Sequence, residues 1–235
     1  MSKNLLIAST STVFGSGFLE YLLPQLKKHF EGCKTLLFIP YARPGGISHD
    51  AYTNKVGTVF NALNINVRGI HTYSNPVQAV AEADAIFTGG GNTFVLVNTL
   101  YQLELMRPLR DVLLSGTPYL GTSAGSNICG LTIHTTNDMP IIYPPSFKTL
   151  GVLPFNINPH YLDPKENDTH MGETRETRIK EFHAFNNVPV VGLREGSWLE
   201  VTDNTIRLKG KHTARVFEKD LLPYEVQSNT LLDLQ

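Results

Sequence analysis

The sequence predicts an α/β fold, a three-layer α/β/α arrangement around a mostly parallel sheet. Three observations carry that expectation. From Asn4 to Thr122, short apolar runs alternate with stretches of helical periodicity, and strict strand–helix alternation is the pattern of a parallel sheet covered on both faces. Glycine-bearing turns follow the strands ending at Thr88 and Thr122, at the carboxyl ends where ligands sit in such sheets. The length, 235 residues, suits one α/β domain spanning 1–235, and no repeat, low-complexity segment or linker divides it.

Taken in order, Asn4 to Ala8 reads as a buried strand and Ser9 to Ser16 as a Ser/Thr/Gly loop. Phe18, Leu19, Leu22, Leu23, Leu26 and Phe30 recur at helical spacing, with a kink or break expected at Pro24. Thr35 to Ile39 is a strand stopped by Pro40; Asp50 to Leu63 is helical; Asn66 to Ile70 is a strand. Pro76 suits the first turn of a short helix ending near Asp84. Ala85 to Thr88 is a strand, Phe94 to Leu105 and Pro108 to Leu114 are helical, and Pro118 to Thr122 is the next strand. The second half changes character. Leu131 to Tyr143 carries few helix signals, Phe155 to Asn158 reads as a strand ending at Pro159-His160, and Asp163 to Gly172 as polar loop. Thr174 to Phe185 is an amphipathic helix with Ile179 and Phe182 inward, and Val188 to Leu193 is a strand. Trp198 to Thr202 and Thr205 to Leu208 flank Asp203-Asn204, a two-residue hairpin signal.

Net charge is −1 with no basic block, which argues against nucleic acid or an anionic membrane as partner. No apolar run approaches the roughly 20 residues of a membrane span, and the N-terminal apolar stretch is too short for a signal segment. Cys33 and Cys129 are far apart and read as free thiols. These features point to a soluble cytoplasmic protein. No His/Cys cluster has metal-ligand spacing, so no metal is expected.

The stretch Tyr119 to Asn127 holds a literal G-x-S-x-G, Gly121-Thr122-Ser123-Ala124-Gly125. This is the sequence form of a nucleophile elbow, a sharp strand-to-helix turn that lifts one hydroxyl above the sheet edge. The backbone N–H of Ala124 could then face an oxyanion. An ordinary βα turn with a serine cap has the same letters. A serine nucleophile needs a base and the base an orienting partner. His160 ends a strand and so belongs at the sheet edge where the elbow opens; His29, His49, His71, His170 and His183 read as polar helix-face or loop residues, and His134 as an edge residue. For the third role Asp138, in a loop of hydrogen-bonding residues, and Glu195, just past a buried strand, both stand, with a slight preference for Glu195 because a strand end is a rigid support. The turn Gly89 to Thr93 could donate N–H groups to an oxyanion or, less aptly, cradle a phosphate; it is not G-x-G-x-x-G and no P-loop lysine follows.

Together these pieces resemble the peptidase E family, the α-aspartyl dipeptidases of serine peptidase family S51. The elbow, Gly89-Gly90-Gly91-Asn92-Thr93-Phe94, Thr135-Thr136-Asn137-Asp138-Met139-Pro140-Ile141, Ile157-Asn158-Pro159-His160, Gly172-Glu173-Thr174-Arg175-Glu176 and Glu195-Gly196-Ser197-Trp198 fall in family order between Leu5 and about Phe217. The resemblance implies a fold similar to class I glutamine amidotransferases, which carry cysteine where this chain has Ser123. It implies hydrolysis of dipeptides with an N-terminal aspartate, Asp-Xaa, with no cofactor. It implies Ser123 as nucleophile, His160 as base, either Asp138 or Glu195 as third member, backbone N–H groups of Gly90 or Gly91 with Ala124 for the oxyanion, and Arg175 for the aspartyl carboxylate. A dipeptide is the expected partner, and the chain could be a monomer or a homodimer. The tail from Glu218 to Gln235 matches nothing in the family pattern.

Alternative activities share parts of this pattern. An α/β-hydrolase esterase has the chain order Ser, Asp, His, but about 75 residues follow His160 here, and the glycine turn lacks the His-Gly-Gly-Gly form. A cyanophycinase-like β-aspartyl peptidase would share the scaffold. So would a non-catalytic small-molecule binding protein, which a fluorophosphonate probe would leave unlabelled at Ser123.

Overall fold

A computed structural model describes residues 2–164, 169 and 171–234; the predicted loop residues 165–168 and His170 lie outside the described residues. In the first half the strands are β1 (Asn4–Ala8), β2 (Thr35–Ile39), β3 (Asn66–Gly69), β4 (Ile86–Thr88) and β5 (Tyr119–Thr122). The helices are α1 (Leu23–His29), α2 (His49–Asn61), α3 (Pro76–Ala81), α4 (Thr93–Gln102), α5 (Met106–Leu114) and the single turn α6 (Ala124–Asn127). The second half adds β6 (Asn156–Pro159), α7 (Arg175–His183), β7 (Val190–Leu193), β8 (Ser197–Thr202), β9 (Thr205–Gly210), β10 (Ala214–Phe217) and β11 (Tyr224–Val226).

The main sheet runs β3-β2-β4-β5-β1-β8-β9. Its first five strands are parallel and β8–β9 is an antiparallel hairpin closing on Asp203-Asn204. Strand residues alternate between the two faces, and the apolar set divides accordingly. Leu6, Ala8, Phe38, Phe87 and Leu120 pack with Leu26 of α1 and Phe60 of α2. Leu5, Ile7, Leu37, Ile39, Ile86 and Tyr119 pack with Val80 of α3, Leu96 of α4 and Leu109 of α5. These two cores are the physical content of the expected three layers. At Pro24 the expected helix breaks: Glu20–Leu22 forms a 3₁₀ turn and Pro24 opens the first turn of α1, where its missing N–H has no partner to lose.

The strand of His160 departs from expectation. β6 is not in the main sheet; it pairs with β7 in a separate four-stranded sheet, β11-β10-β7-β6. Glu195 follows β7 and therefore hangs from the same smaller sheet. Helix α7 covers this sheet, with Ile179 packed on Tyr161, Val190 and Phe217 and with Phe182 half-buried against them. Strands β10 and β11 have no antecedent in the sequence reading. Arg215 and Arg194 join these elements: Arg194 holds Asp163 bidentately at 2.8 and 2.6 Å and Glu225 at 2.9 Å through each terminal nitrogen, and Arg215 reaches Glu176 of α7 at 3.0 Å.

Candidate active site

The elbow is built from the end of β5 and the start of α6. Ser123 sits at φ 53°, ψ −110°, a strained region that a side chain tolerates only when its surroundings impose it. They do so through Ala8 at the end of β1, whose carbonyl accepts from Ser123 N–H (3.2 Å) and from Ser126 Oγ (2.6 Å). The flanking glycines leave room for the turn. A Cβ on Gly125 would lie 2.1 Å from Thr88 O, and one on Gly121 2.5 Å from Gly125 O. Ser123 is therefore set by backbone crowding between β1, β4 and β5.

His160 reaches the elbow from the other sheet. Its Nε2 lies 2.8 Å from Ser123 Oγ and its Nδ1 2.6 Å from Glu195 Oε1. With hydrogen on Nδ1, the imidazole donates to the glutamate and accepts from the serine, the tautomer a general base requires. The His160 and Glu195 side chains are 36% and 46% exposed, so substrate and water can reach them. His160 has φ 54°, and the peptide before it is held at both ends: Asn137 Nδ2 donates to Pro159 O (2.6 Å), and His160 N–H donates to Ser9 Oγ (2.9 Å). Ser9 Oγ in turn donates to Leu193 O (2.7 Å), the strand end that leads to Glu195. Ser9 and Asn137 thus tie β1, β6 and β7 together.

Asp138 lies elsewhere. Its Oδ2 accepts from Thr93 N–H at the start of α4 (2.7 Å) and from Thr136 Oγ1 (3.2 Å). It supplements Asn92, whose Oδ1 caps the same helix through Val95 N–H, and a carboxylate there meets the positive helix end. Arg175 opens α7, which Thr174 caps. It has no ion-pair partner among the described residues. Burial pulls its guanidinium pKa down, Arg178 adds to that, and the carboxylate of Asp138 opposes it.

The glycine turn after β4 lies against the elbow, and it revises the oxyanion expectation. Gly90 N–H is occupied, donating to Tyr52 Oη at 3.1 Å, so Gly90 cannot offer it. Gly91 N–H and Ala124 N–H donate to no acceptor among the described residues. Gly91 has φ 147°, and a Cβ there would lie 2.2 Å from Ala42 O.

The remaining candidates fall away from this cluster. His29 Nε2 meets Tyr119 O (3.0 Å), His71 Nε2 meets Asp50 (2.9 Å), and His134 Nδ1 meets Thr132 Oγ1 (2.9 Å). His183 is buried against Val188 O rather than facing solvent. Cys33 and Cys129 are both free, and burial pushes the Cys129 thiol up to about 12, an inert state. Sequence reasoning missed Ser9 and Asn137, which hold the His160 peptide, and Tyr52, which accepts from Gly90 N–H. Ser9 opens the loop directly after a predicted strand and Asn137 lies in a motif block, and those positions were the available signals.

Fold and site together define a three-layer α/β protein with a serine at a strand-to-helix elbow, hydrogen-bonded to a histidine that is in turn hydrogen-bonded to a glutamate. The chain belongs to peptidase family S51, whose pattern matches residues 5–209. It is 47% identical to peptidase E of Streptomyces coelicolor, over 95% of this chain and 90% of that protein. Identity is also 47% to a Drosophila melanogaster protein named "Probable alpha-aspartyl dipeptidase", over 93% and 91% of the two chains. The crystal structure of a peptidase from an acI-B1 Actinobacterium superposes with TM-score 0.73 at 17% identity, covering 100% of this chain and 98% of the other. At that identity the superposition speaks for the fold. No helix among the described residues is long and apolar enough to cross a membrane.

Proposed function

We propose that this chain is a serine-type dipeptidase that hydrolyses Asp-Xaa dipeptides through an acyl-enzyme. The observation that carries the reading is the continuous hydrogen-bonded line from Ser123 Oγ through His160 to Glu195, beside two N–H groups with no acceptor among the described residues. His160 Nε2 takes the Ser123 proton as Oγ attacks the scissile carbonyl, and Glu195 orients the ring and stabilises the imidazolium. Gly91 and Ala124 N–H hold the oxyanion. Collapse breaks the C–N bond while His160 hands its proton to the leaving amine. Water then attacks the acyl-serine with His160 again as base, releasing aspartate and restoring Ser123. Arg175 is the cation that pairs with the substrate's side-chain carboxylate, a role suited to a planar fork. Asp138 caps α4 and lends its field to Arg175.

Because Ser123 belongs to one sheet and His160 with Glu195 to the other, residues 1–235 act as one catalytic domain in this reading. The free thiols favour a cytoplasmic setting. A dipeptide panel tests the reading: Asp-Leu should be cleaved, with Glu-Leu, Asn-Leu, β-Asp-Leu and acetyl-Asp-Leu poor or inert. Preference for β-Asp-Leu would point instead to a cyanophycinase-like activity. Failure of a fluorophosphonate to label Ser123, with no turnover of any dipeptide, would point to a binding protein.

A further inference from the structure

Behind the glycine turn stands a pair of side chains that the mechanism above does not use. Arg43 Nε donates to Gly90 O at 3.1 Å, and its guanidinium carbon lies 5.4 Å from the centre of the Tyr52 ring. Tyr52 is buried in the first half of α2, with its ring edge-on to Phe38 at 4.9 Å. Its Oη accepts from Gly90 N–H at 3.1 Å and stands 3.5 Å from Gly90 O. Both polar atoms of Gly90 are thus engaged from one side.

The described residues include no cis peptide bond, so in the Gly90–Gly91 peptide the N–H points opposite to the carbonyl. A carbonyl pinned toward Arg43 therefore turns Gly91 N–H away from it. That N–H finds no acceptor among the described residues, and Gly90 packs on the nucleophile: a Cβ there would come within 3.0 Å of Ser123 Cβ and 3.5 Å of its Oγ. The arrangement needs Gly91 at φ 147°, a conformation that a free glycine turn has many alternatives to. Something must select it. A cation hydrogen-bonded to the carbonyl also polarises the peptide and makes its N–H a stronger donor, as in other bonded chains of dipoles.

We propose that Arg43 and Tyr52 are positioning residues for the oxyanion-binding amide: by fixing the Gly90 carbonyl they aim and strengthen the Gly91 N–H at the oxygen that gains charge when Ser123 attacks. The inference rests on Ser123 being the nucleophile. It differs from a substrate-contact role for Arg43, which would act on binding, because an oxyanion donor gains strength only as charge develops.

The test is steady-state kinetics on Asp-Leu for wild type, Arg43→Ala, Arg43→Lys and Tyr52→Phe, with affinity for an aspartyl boronate, whose serine adduct is tetrahedral and anionic. Arg43→Ala should lower kcat about 10- to 30-fold with KM within about twofold, below the 10²- to 10³-fold typical of losing an oxyanion donor outright. Boronate affinity should fall by a similar factor. Arg43→Lys should recover part of the loss, since an ammonium can still bond the carbonyl. Tyr52→Phe keeps the buried ring and should lower kcat in the same direction. Arg43 lies on the surface, so its variants keep the test open should Tyr52→Phe fold poorly. Unchanged kcat in Arg43→Ala, or a rise in KM alone, would overturn the inference. Turnover by Ser123→Ala in the same assay would instead overturn the serine reading beneath it.

Discussion

At the scale of single residues, Ser123 and His160 are both held at positive φ, and each is held by backbone contacts rather than by its own side chain. Removing a side chain should therefore disturb chemistry more than structure. Ser123→Ala should lower kcat by roughly 10³-fold or more with an unchanged melting temperature. The two acidic candidates should separate cleanly. Glu195→Gln should lower kcat by roughly 10- to 100-fold, because the amide no longer stabilises the imidazolium. Asp138→Asn should leave kcat within about threefold and cost up to about 1 kcal/mol of stability through the lost charge at the start of α4. The reverse pattern in paired kinetics and melting curves would exchange their roles. Arg175→Ala should cost about 2–4 kcal/mol on Asp-Leu, roughly 30- to 1000-fold in kcat/KM, and Arg175→Lys nearly as much, since an ammonium cannot form the fork. Asn-Leu should lose far less. An unchanged Asp/Asn ratio in Arg175→Ala would make Arg175 a scaffold residue.

Elements, rather than residues, bring Ser123, His160 and Glu195 together. β1 is the hub: its end carries Ala8, which anchors the elbow, and Ser9, which anchors the ends of β6 and β7. A hydroxyl that bonds two strand ends at once fixes the distance between His160 and Ser123. Ser9→Ala leaves His160 N–H and Leu193 O without that partner in a fully buried place. It should cost about 1–3 kcal/mol of stability and lower kcat about tenfold with little change in KM, because misplacement of a base slows chemistry without weakening binding. Wild-type kcat in a folded Ser9→Ala protein would show that Asn137 holds the His160 peptide alone.

For the whole molecule, the pH dependence of stability should turn on a histidine outside the Ser123 site. His29 ends α1 beneath the sheet and meets Tyr119 O; burial pulls its pKa down to about 4, against the smaller opposing effect of that bond. In the unfolded chain it titrates near 6.5, so as pH falls below about 6.5 the unfolded state takes up a proton that the folded state refuses. Stability should drop by about 2–3 kcal/mol between about pH 6.5 and 4 and then level off for this group. His29→Gln, which can still donate to Tyr119 O, should flatten that slope in melting temperatures measured from pH 8 to 4. The carboxylates of Asp163 and Glu176 behave in the same sense at lower pH: bonds from Arg194 to the first and from Lys180 and Arg215 to the second hold them below the usual carboxylate range, so their contribution is present above the unfolded carboxylate pKa and is lost as pH falls through the folded one.

The sequence by itself determined the layered α/β class, most elements of the first half and the candidate residues, because those follow from short-range facts. The continuous apolar run Leu5 to Ala8 and helical spacing in Leu22 to Phe30 report burial of local segments, and G-x-S-x-G reports a steric need that the Gly125–Thr88 crowding makes concrete. It did not separate Asp138 from Glu195, or assign β6 and β7 to a second sheet, or find β10 and β11. Those depend on pairing between strands distant in the chain, and a four-residue strand carries no label of its partner. Only the tertiary structure set Glu195 rather than Asp138 beside His160, turned Asp138 to the helix end at Thr93, and closed the Gly90 amide with Tyr52 Oη. Each is a hydrogen bond of 3.1 Å or less between residues 35, 45 and 38 positions apart, a distance over which sequence pattern says which groups are available but not which of them meet.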